Sequence, residues 1–152
     1  MAYLPISPSQ SAAGIEPEVV MLPEVASSVW KAGAPVLRDA NGFIAECGAA
    51  PATVFGFAVN DGQNLASSGL KKCAVYRAQA GVRFEGNLKV AALTQTMAGE
   101  PYRLVKGADG IWYVDQANAG PMNVLSWSSK VKLGDLDPIV DFTLLASGTQ
   151  EP

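Results

Sequence analysis

The chain contains no histidine, the residue that most often serves as an acid, a base or a metal ligand near neutral pH. It has only two cysteines, Cys47 and Cys73, which lie far apart and form no CxxC motif. A tetrahedral zinc site, which relies on cysteine and histidine, is therefore excluded. We expect two buried free thiols, and a disulfide between them is the alternative in an oxidising medium.

The residues of other catalytic chemistries are also missing. A serine needs a neighbouring base to become a nucleophile, and the S-x-x-K string from Ser68 to Lys71 lacks its companion motifs. Asp135 and Asp137 have the spacing of a carboxylate pair, but the ligand pattern of a calcium loop does not surround them. We interpret them as a polar turn, and we predict that the chain is not an enzyme and binds no cofactor or metal.

Charged residues are scarce, at 16% of the chain against about 25% in an average globular protein. The net charge is −3, and no cluster of Lys and Arg provides the basic face that nucleic-acid binding requires. No apolar run is long enough to cross a membrane. The first ten residues do not resemble a secretory signal, so we expect synthesis in a cytoplasm, with no nucleic-acid or membrane partner.

The chain changes character near Ser28. Residues 1–28 are rich in proline and serine, which disfavours an ordinary helix or a central strand. Apolar residues are nevertheless scattered through this segment, unlike in a disordered linker. We therefore predict an extended N-terminal arm that contacts a partner, followed by a β-domain over residues 29–152. The alternative is an arm packed back on its own domain.

The arm carries six apolar side chains that we predict to contact the partner. They are Tyr3, Leu4, Ile6, Val19, Val20 and Met21. Deleting residues 1–22 is expected to leave a folded body that no longer binds the partner.

Residues 29–152 read as short β-strands separated by turn residues. Asn41-Gly42 predicts a hairpin, Gly56 predicts a bulge or a close approach, and residues 60–69 read as a polar loop. We expect residues 74–77 and 82–85 to pair around Gly81, whereas residues 88–97 are ambiguous between helix and strand. Strands at this spacing, without a βαβ rhythm, indicate an all-β sandwich or barrel.

The large aromatic residues support a competing interpretation. Trp30, Trp112, Tyr113 and Trp127 could stack on sugar rings if three of them shared an exposed face, as in a carbohydrate-binding β-sandwich used for host adhesion. Alternation places Trp112 and Tyr113 on opposite faces of a strand, so at least one of them is expected in the core. We favour core or interface positions for these residues.

Seven short motifs follow one another along the β-domain. They are WKAGAPVL from residue 30, GFIAE from 42, VFGFA from 54, FEGNL from 84, GEPYRL from 99, WYVD from 112 and GD at 134. In this order, over roughly residues 29–145, the chain resembles the small capsid decoration, or cement, proteins of tailed bacteriophages.

This resemblance implies a β-tulip or jelly-roll-like body on the exterior of the virion capsid, made in the cytoplasm of the host bacterium. It implies binding to the major capsid protein and to further copies of the chain, as a dimer or trimer. The implied function is to bridge capsid subunits and stabilise the head against internal DNA pressure, with no catalytic residues. A minor head–tail or tail structural protein is a further alternative.

Overall fold

The computed structural model describes residues 4–9, 16–64, 66–117, 119–127 and 131–150. It confirms the all-β prediction, with the sheets in a barrel and sandwich arrangement and two single-turn 3₁₀ helices, Gln95–Met97 and Ala146–Gly148. The strands within these residues are β1 Ser7–Pro8, β2 Val19–Pro23, β3 Ser28–Trp30, β4 Pro35–Arg38, β5 Ile44–Glu46, β6 Gly56–Ala58, β7 Gly62–Asn64, β8 Lys72–Arg77, β9 Phe84–Lys89, β10 Pro101–Lys106, β11 Trp112–Asp115, β12 Met122–Trp127 and β13 Ile139–Leu144.

Strands from the second half of the chain form the C-terminal barrel, in the order β9-β11-β10-β12-β13. The barrel closes because β13 pairs back onto β9, with Phe142 opposite Phe84. On its other side, β9 is shared by two neighbours: β1 pairs with its beginning and β11 with its end. The N-terminal segment thus completes one wall of a barrel built from residues much later in the chain.

Strands from the first half form the N-terminal barrel, in the order β2-β8-β6-β4-β5. A bridge between Glu24 and Ile44 closes it, and the Val25 amide donates to the Ile44 carbonyl at 3.0 Å. A ribbon of β3 and β7 adjoins this barrel and buries Trp30. Gly62 lies against the Trp30 indole, where an added Cβ would come within 2.2 Å of the ring.

The two barrels share one hydrophobic core. Phe57 of the N-terminal barrel lies 4.7 Å from Phe84 and 6.2 Å from Phe142, measured between ring centroids. The end of the chain then returns to the N-terminal barrel, where Thr149 bridges to Val54 and the Gln150 side chain accepts from the Arg38 amide at 2.9 Å. Burial of aromatic side chains from both barrels in one cluster holds them together.

Local turn predictions are confirmed. The hairpin between β4 and β5 turns at Gly42, whose φ is 86°, and the Asp39 carboxylate accepts from the amides of Asn41 and Phe43. Gly56 marks a close approach, since a Cβ there would lie 2.3 Å from the Tyr76 carbonyl oxygen. Each feature is set by residues near in sequence or by the smallness of one side chain.

Two longer-range expectations need correction, and one ambiguous segment is resolved. Residues 74–77 and 82–85 do not pair, because β8 belongs to the N-terminal barrel and β9 to the C-terminal barrel. The supposed polar loop contains β7, which pairs with β3. The ambiguous segment 88–97 finishes β9 and ends in a 3₁₀ turn.

The described parts of the predicted arm pack against the chain's own body, which is the alternative arrangement considered above. Ile6 is 1% exposed and belongs to the shared core, and β2 pairs with β8 over its whole length. A boundary at residue 28 stays a prediction. Deleting residues 1–22 would remove Ile6 from the core and β2 from its barrel, so we no longer expect the truncated body to fold intact.

Candidate binding surface

Strand β2 lies at the edge of its sheet over residues 19–22, because the bridge that closes the N-terminal barrel begins only at Glu24. β8 pairs with it on one side through five residue pairs, from Val19 opposite Tyr76 to Pro23 opposite Lys72. Within the described residues, no strand pairs with the other side of residues 19–22. An edge strand with free N–H and C=O groups is a template for an incoming strand, which natural proteins usually protect with charges or bulges.

The outward face of β2 is apolar. Val19 is 54% exposed and Met21 is 60% exposed, whereas Val20 and Leu22 turn inward and pack against the core. This division follows from the alternation of side chains along a strand. We refer to Val19 and Met21 as the β2 strip. Exposed apolar side chains on a free strand edge offer a partner both apolar surface and unpaired backbone groups.

Charged and apolar residues flank the β2 strip. At its beginning, the Glu18 carboxylate forms an ion pair with Arg77 at 3.3 Å. At its end, Leu70 is 66% exposed in the turn that enters β8. This turn is held beside β2 because the Glu24 amide donates to the Lys71 carbonyl at 2.8 Å. A further exposed apolar side chain therefore lies beyond the C-terminal end of the strand.

The six predicted contact residues do not form one surface. Tyr3 lies outside the described residues, Ile6 is a core residue, and Val20 faces inward. Leu4 is 51% exposed, but it lines a separate cleft with Glu85 and Ile139 of the C-terminal barrel. Only Val19 and Met21 are brought together as exposed neighbours.

A buried polar network anchors the chain just after β2. Glu24 is 2% exposed, and its Oε1 accepts from the amides of Gln63 and Asn64 at 2.8 and 3.0 Å and from the Ser28 hydroxyl at 3.2 Å. The Asn64 side chain donates in return to the carbonyls of Glu24, Val25 and Ser67. No sequence signal identified Glu24, because a glutamate in a proline-rich segment reads as solvent-exposed.

The Asp135 and Asp137 carboxylates, which the sequence offered as a possible carboxylate pair, form hydrogen bonds with backbone amides. The Asp135 carboxylate accepts from the Lys132 amide at 2.8 Å within a turn, and the Asp137 carboxylate accepts from the Val90 amide at 2.9 Å, which attaches this turn to the residue after β9. Among the described residues, no three His, Cys, Asp or Glu side chains cluster as metal ligands would. The segment that contains Asp135 and Asp137 is thus the polar turn that the sequence indicated.

Both cysteines are buried and free, as expected. Burial, reinforced by the nearby Glu46 carboxylate, raises the pKa of the Cys47 thiol to about 12. Burial also raises the pKa of Cys73, against a smaller opposing effect from its hydrogen bond to the Asn60 carbonyl. Since the thiolate is the nucleophile, neither side chain is activated at neutral pH.

The large aromatic side chains do not form a sugar-binding platform. Trp30, Trp112 and Tyr113 are all buried, and Trp127 packs against the core. Both faces of β11 are covered: the Trp112 indole donates to Glu46 at 3.0 Å, and the Lys89 ammonium lies 5.3 Å from the Tyr113 ring centroid. We expected at least one of Trp112 and Tyr113 to be buried, and the structure buries both.

No protein-family model matches this chain, and a search of the curated proteins finds no significant match. Over the described part of the chain, none of the helices has the length and apolar character needed to cross a membrane.

Proposed function

We propose that this chain is a capsid decoration protein that binds the outside of a phage head and bridges neighbouring subunits of the major capsid protein. The proposal rests on the order of motifs along the β-domain and on one structural observation, the exposed apolar β2 strip on a strand edge that no described strand covers. A partner that covers this strip buries Val19 and Met21 and pairs with the free backbone of β2.

Repetition of the binding site strengthens such an arrangement. A capsid presents many equivalent sites, so each contact can be modest while the assembled array is stabilised collectively. Main-chain hydrogen bonds to β2 contribute affinity, and the alternation of Val19 and Met21 with inward-facing residues defines the register of the incoming strand. The buried aromatic residues offer no comparable support for carbohydrate binding.

The test compares two double variants in a sedimentation assay with purified capsids that lack the protein. Val19→Ser with Met21→Ser removes the apolar strip, and Val29→Ser with Leu133→Ser is the matched control, because Val29 and Leu133 are 65% and 58% exposed elsewhere. Losing the burial of a Val and a Met side chain should weaken binding at least about tenfold. The control should bind like the wild type, and both variants should keep the wild-type melting temperature.

A copy-number measurement separates this proposal from a head–tail or tail role. The chain should occur in purified particles in a simple ratio to the major capsid protein. A handful of copies per particle would assign it to the connector or the tail, and wild-type capsid binding by the β2-strip variant would reject β2 as the contact.

A further inference from the structure

A cleft of about 320 Å³ lies where loops of the two barrels meet. Its walls come from the segment between β5 and β6, from the segment between β11 and β12, and from the turn after β13. The lining residues are Ala50, Pro51, Ala52, Ala119, Gly120, Pro121, Leu145 and Ser147, together with Arg103. Among the described residues of this lining, Arg103 on β10 is the one that carries a charge. We call this the Arg103 cleft.

The guanidinium of Arg103 is incompletely satisfied. Its Nε is buried and has no hydrogen-bond acceptor among the described residues. Asp115 lies opposite Arg103 in the β10–β11 ladder and could have supplied a carboxylate. It instead accepts from the Ala117 amide at 2.9 Å. A buried charged donor without an acceptor is unfavourable, and the same guanidinium lines the cleft. A carboxylate that enters the cleft therefore gains a charge-assisted hydrogen bond from Arg103.

The cleft walls are closely packed. A Cβ added at Gly120 would lie 2.6 Å from the Arg103 Cβ, and one added at Gly148 would lie 2.2 Å from the Pro121 side chain. Ala50 adopts a φ of 49°, a conformation that non-glycine residues rarely take and that often accompanies binding sites. Tight packing preforms the cleft, which lowers the entropic cost of binding.

The residues that line the cleft indicate the chemistry of its ligand. One guanidinium balances the single charge of a carboxylate better than the higher charge of a phosphate, and the surrounding alanine and proline side chains suit a short aliphatic stem. Leu145, which is 41% exposed, adds apolar contact in the lining. A polyanion such as nucleic acid fits poorly, because the chain carries a net charge of −3 and the cleft has one cation.

We propose that the Arg103 cleft binds the carboxylate side chain of a glutamate or aspartate presented by the capsid protein. This inference rests on the proposed function and adds a second contact, charged and specific, beside the apolar β2 strip. The strip supplies apolar burial, whereas the Arg103 cleft recognises one acidic residue of the partner.

Capsid binding by three arginine variants tests the contact. Arg103→Gln should weaken binding by about ten- to a hundredfold, because a charge-assisted hydrogen bond is lost. Arg103→Lys keeps the charge but not the planar fork, and should fall between Gln and wild type. Arg83→Gln, at an exposed arginine outside the cleft, is the control and should bind as wild type. Equal affinity of Arg103→Gln and wild type, with both proteins folded, would overturn the proposal.

A second experiment tests the cleft without capsids. In an NMR titration of the wild-type protein in chloride buffer, N-acetylglutamate methylamide should shift the Arg103 Nε–H resonance saturably. The neutral N-acetylglutamine methylamide should not. Saturable carboxylate binding by a protein that binds no capsids would support the cleft and refute the proposed function. No shift with the carboxylate probe would refute the cleft itself.

Discussion

Replacing Glu24 with alanine should destabilise the protein more than any other single change at a polar residue considered above. The substitution removes the acceptor for the Gln63 and Asn64 amides, while the Ser28 hydroxyl keeps its bond to the Val25 carbonyl at 2.8 Å. A buried amide left without a partner costs roughly 1–3 kcal/mol. With the Asn64 amide buried and the Gln63 amide partly buried, we expect a loss of about 3 kcal/mol in the free energy of unfolding.

Glu24→Gln separates the acceptor from its charge. The glutamine carbonyl oxygen can still accept from both amides, so only the additional strength of a charge-assisted bond is lost. We expect a cost of about 1 kcal/mol from the difference between charged and neutral hydrogen bonds. Glu18→Ala is the control, because the Glu18 side chain is 54% exposed and a surface ion pair is worth about 0–1 kcal/mol.

Urea denaturation at pH 7 measures the three differences, provided that the slope with denaturant is unchanged. A loss of 3 kcal/mol corresponds to a melting temperature lowered by about 6–12 °C in a domain of this size. Glu24→Ala within 0.5 kcal/mol of the wild type would refute the reasoning, since the two amides would then have found other partners. Equal losses for alanine and glutamine would show that the charge, and not the acceptor geometry, is decisive.

Three further predictions concern the core and the thiols. Ile6→Ala should lower the free energy of unfolding by about 2–5 kcal/mol, because it leaves a cavity in the core. Leu4→Ala, at an exposed position, should lower it by under about 1 kcal/mol in the same urea assay. Equally small losses for both variants would show that the N-terminal segment does not contribute to the stability of the core. Gly62→Ala should cost at least about 1–3 kcal/mol through overpacking, while Gly48→Ala, with open space around it, should be nearly neutral in thermal melts. The Cys47 thiol has a native pKa raised from 9.0 to about 12, so its stabilising effect is complete below pH 9 and is lost as pH rises towards 12. Denaturation with guanidinium chloride between the two pKa values should show that the free energy of unfolding falls as the pH rises, and that it falls less steeply in Cys47→Ala. The same dependence on pH in Cys47→Ala and the wild type would show that the Cys47 thiol is not responsible.

Local features of the fold could be predicted because short-range chemistry decides them. The hairpin at Gly42 needs a residue that tolerates positive φ, and the Asp39 carboxylate caps the same turn. Val140, Phe142 and Leu144 alternate along β13 and are all buried, as period-two patterning requires. Asp141 is also buried, because the closed barrel covers both faces of the strand and the Ser9 hydroxyl donates to its carboxylate at 2.7 Å.

The candidate site could be predicted only in part. Ile6 and Met21 are both apolar residues in a proline-rich segment, and nothing near them in sequence shows that one is 1% exposed and the other 60%. The difference depends on where β1 and β2 join their barrels. Glu24 and Arg103 were not identified at all, because their partners are backbone groups and loops that come together only after folding.

The amino-acid sequence was enough to predict an all-β chain of short strands separated by turns, and its lack of histidine excluded histidine-based chemistry. The pairing of the strands follows from the complete fold, since backbone hydrogen bonds are the same for every residue and do not specify a distant partner. Closure of the barrels drew the N-terminal segment into the core, left Val19 and Met21 outside, and placed Arg103 beside loops from both barrels. Burial of the shared core, a property of the whole chain, selected that arrangement over the alternatives that local patterns allowed.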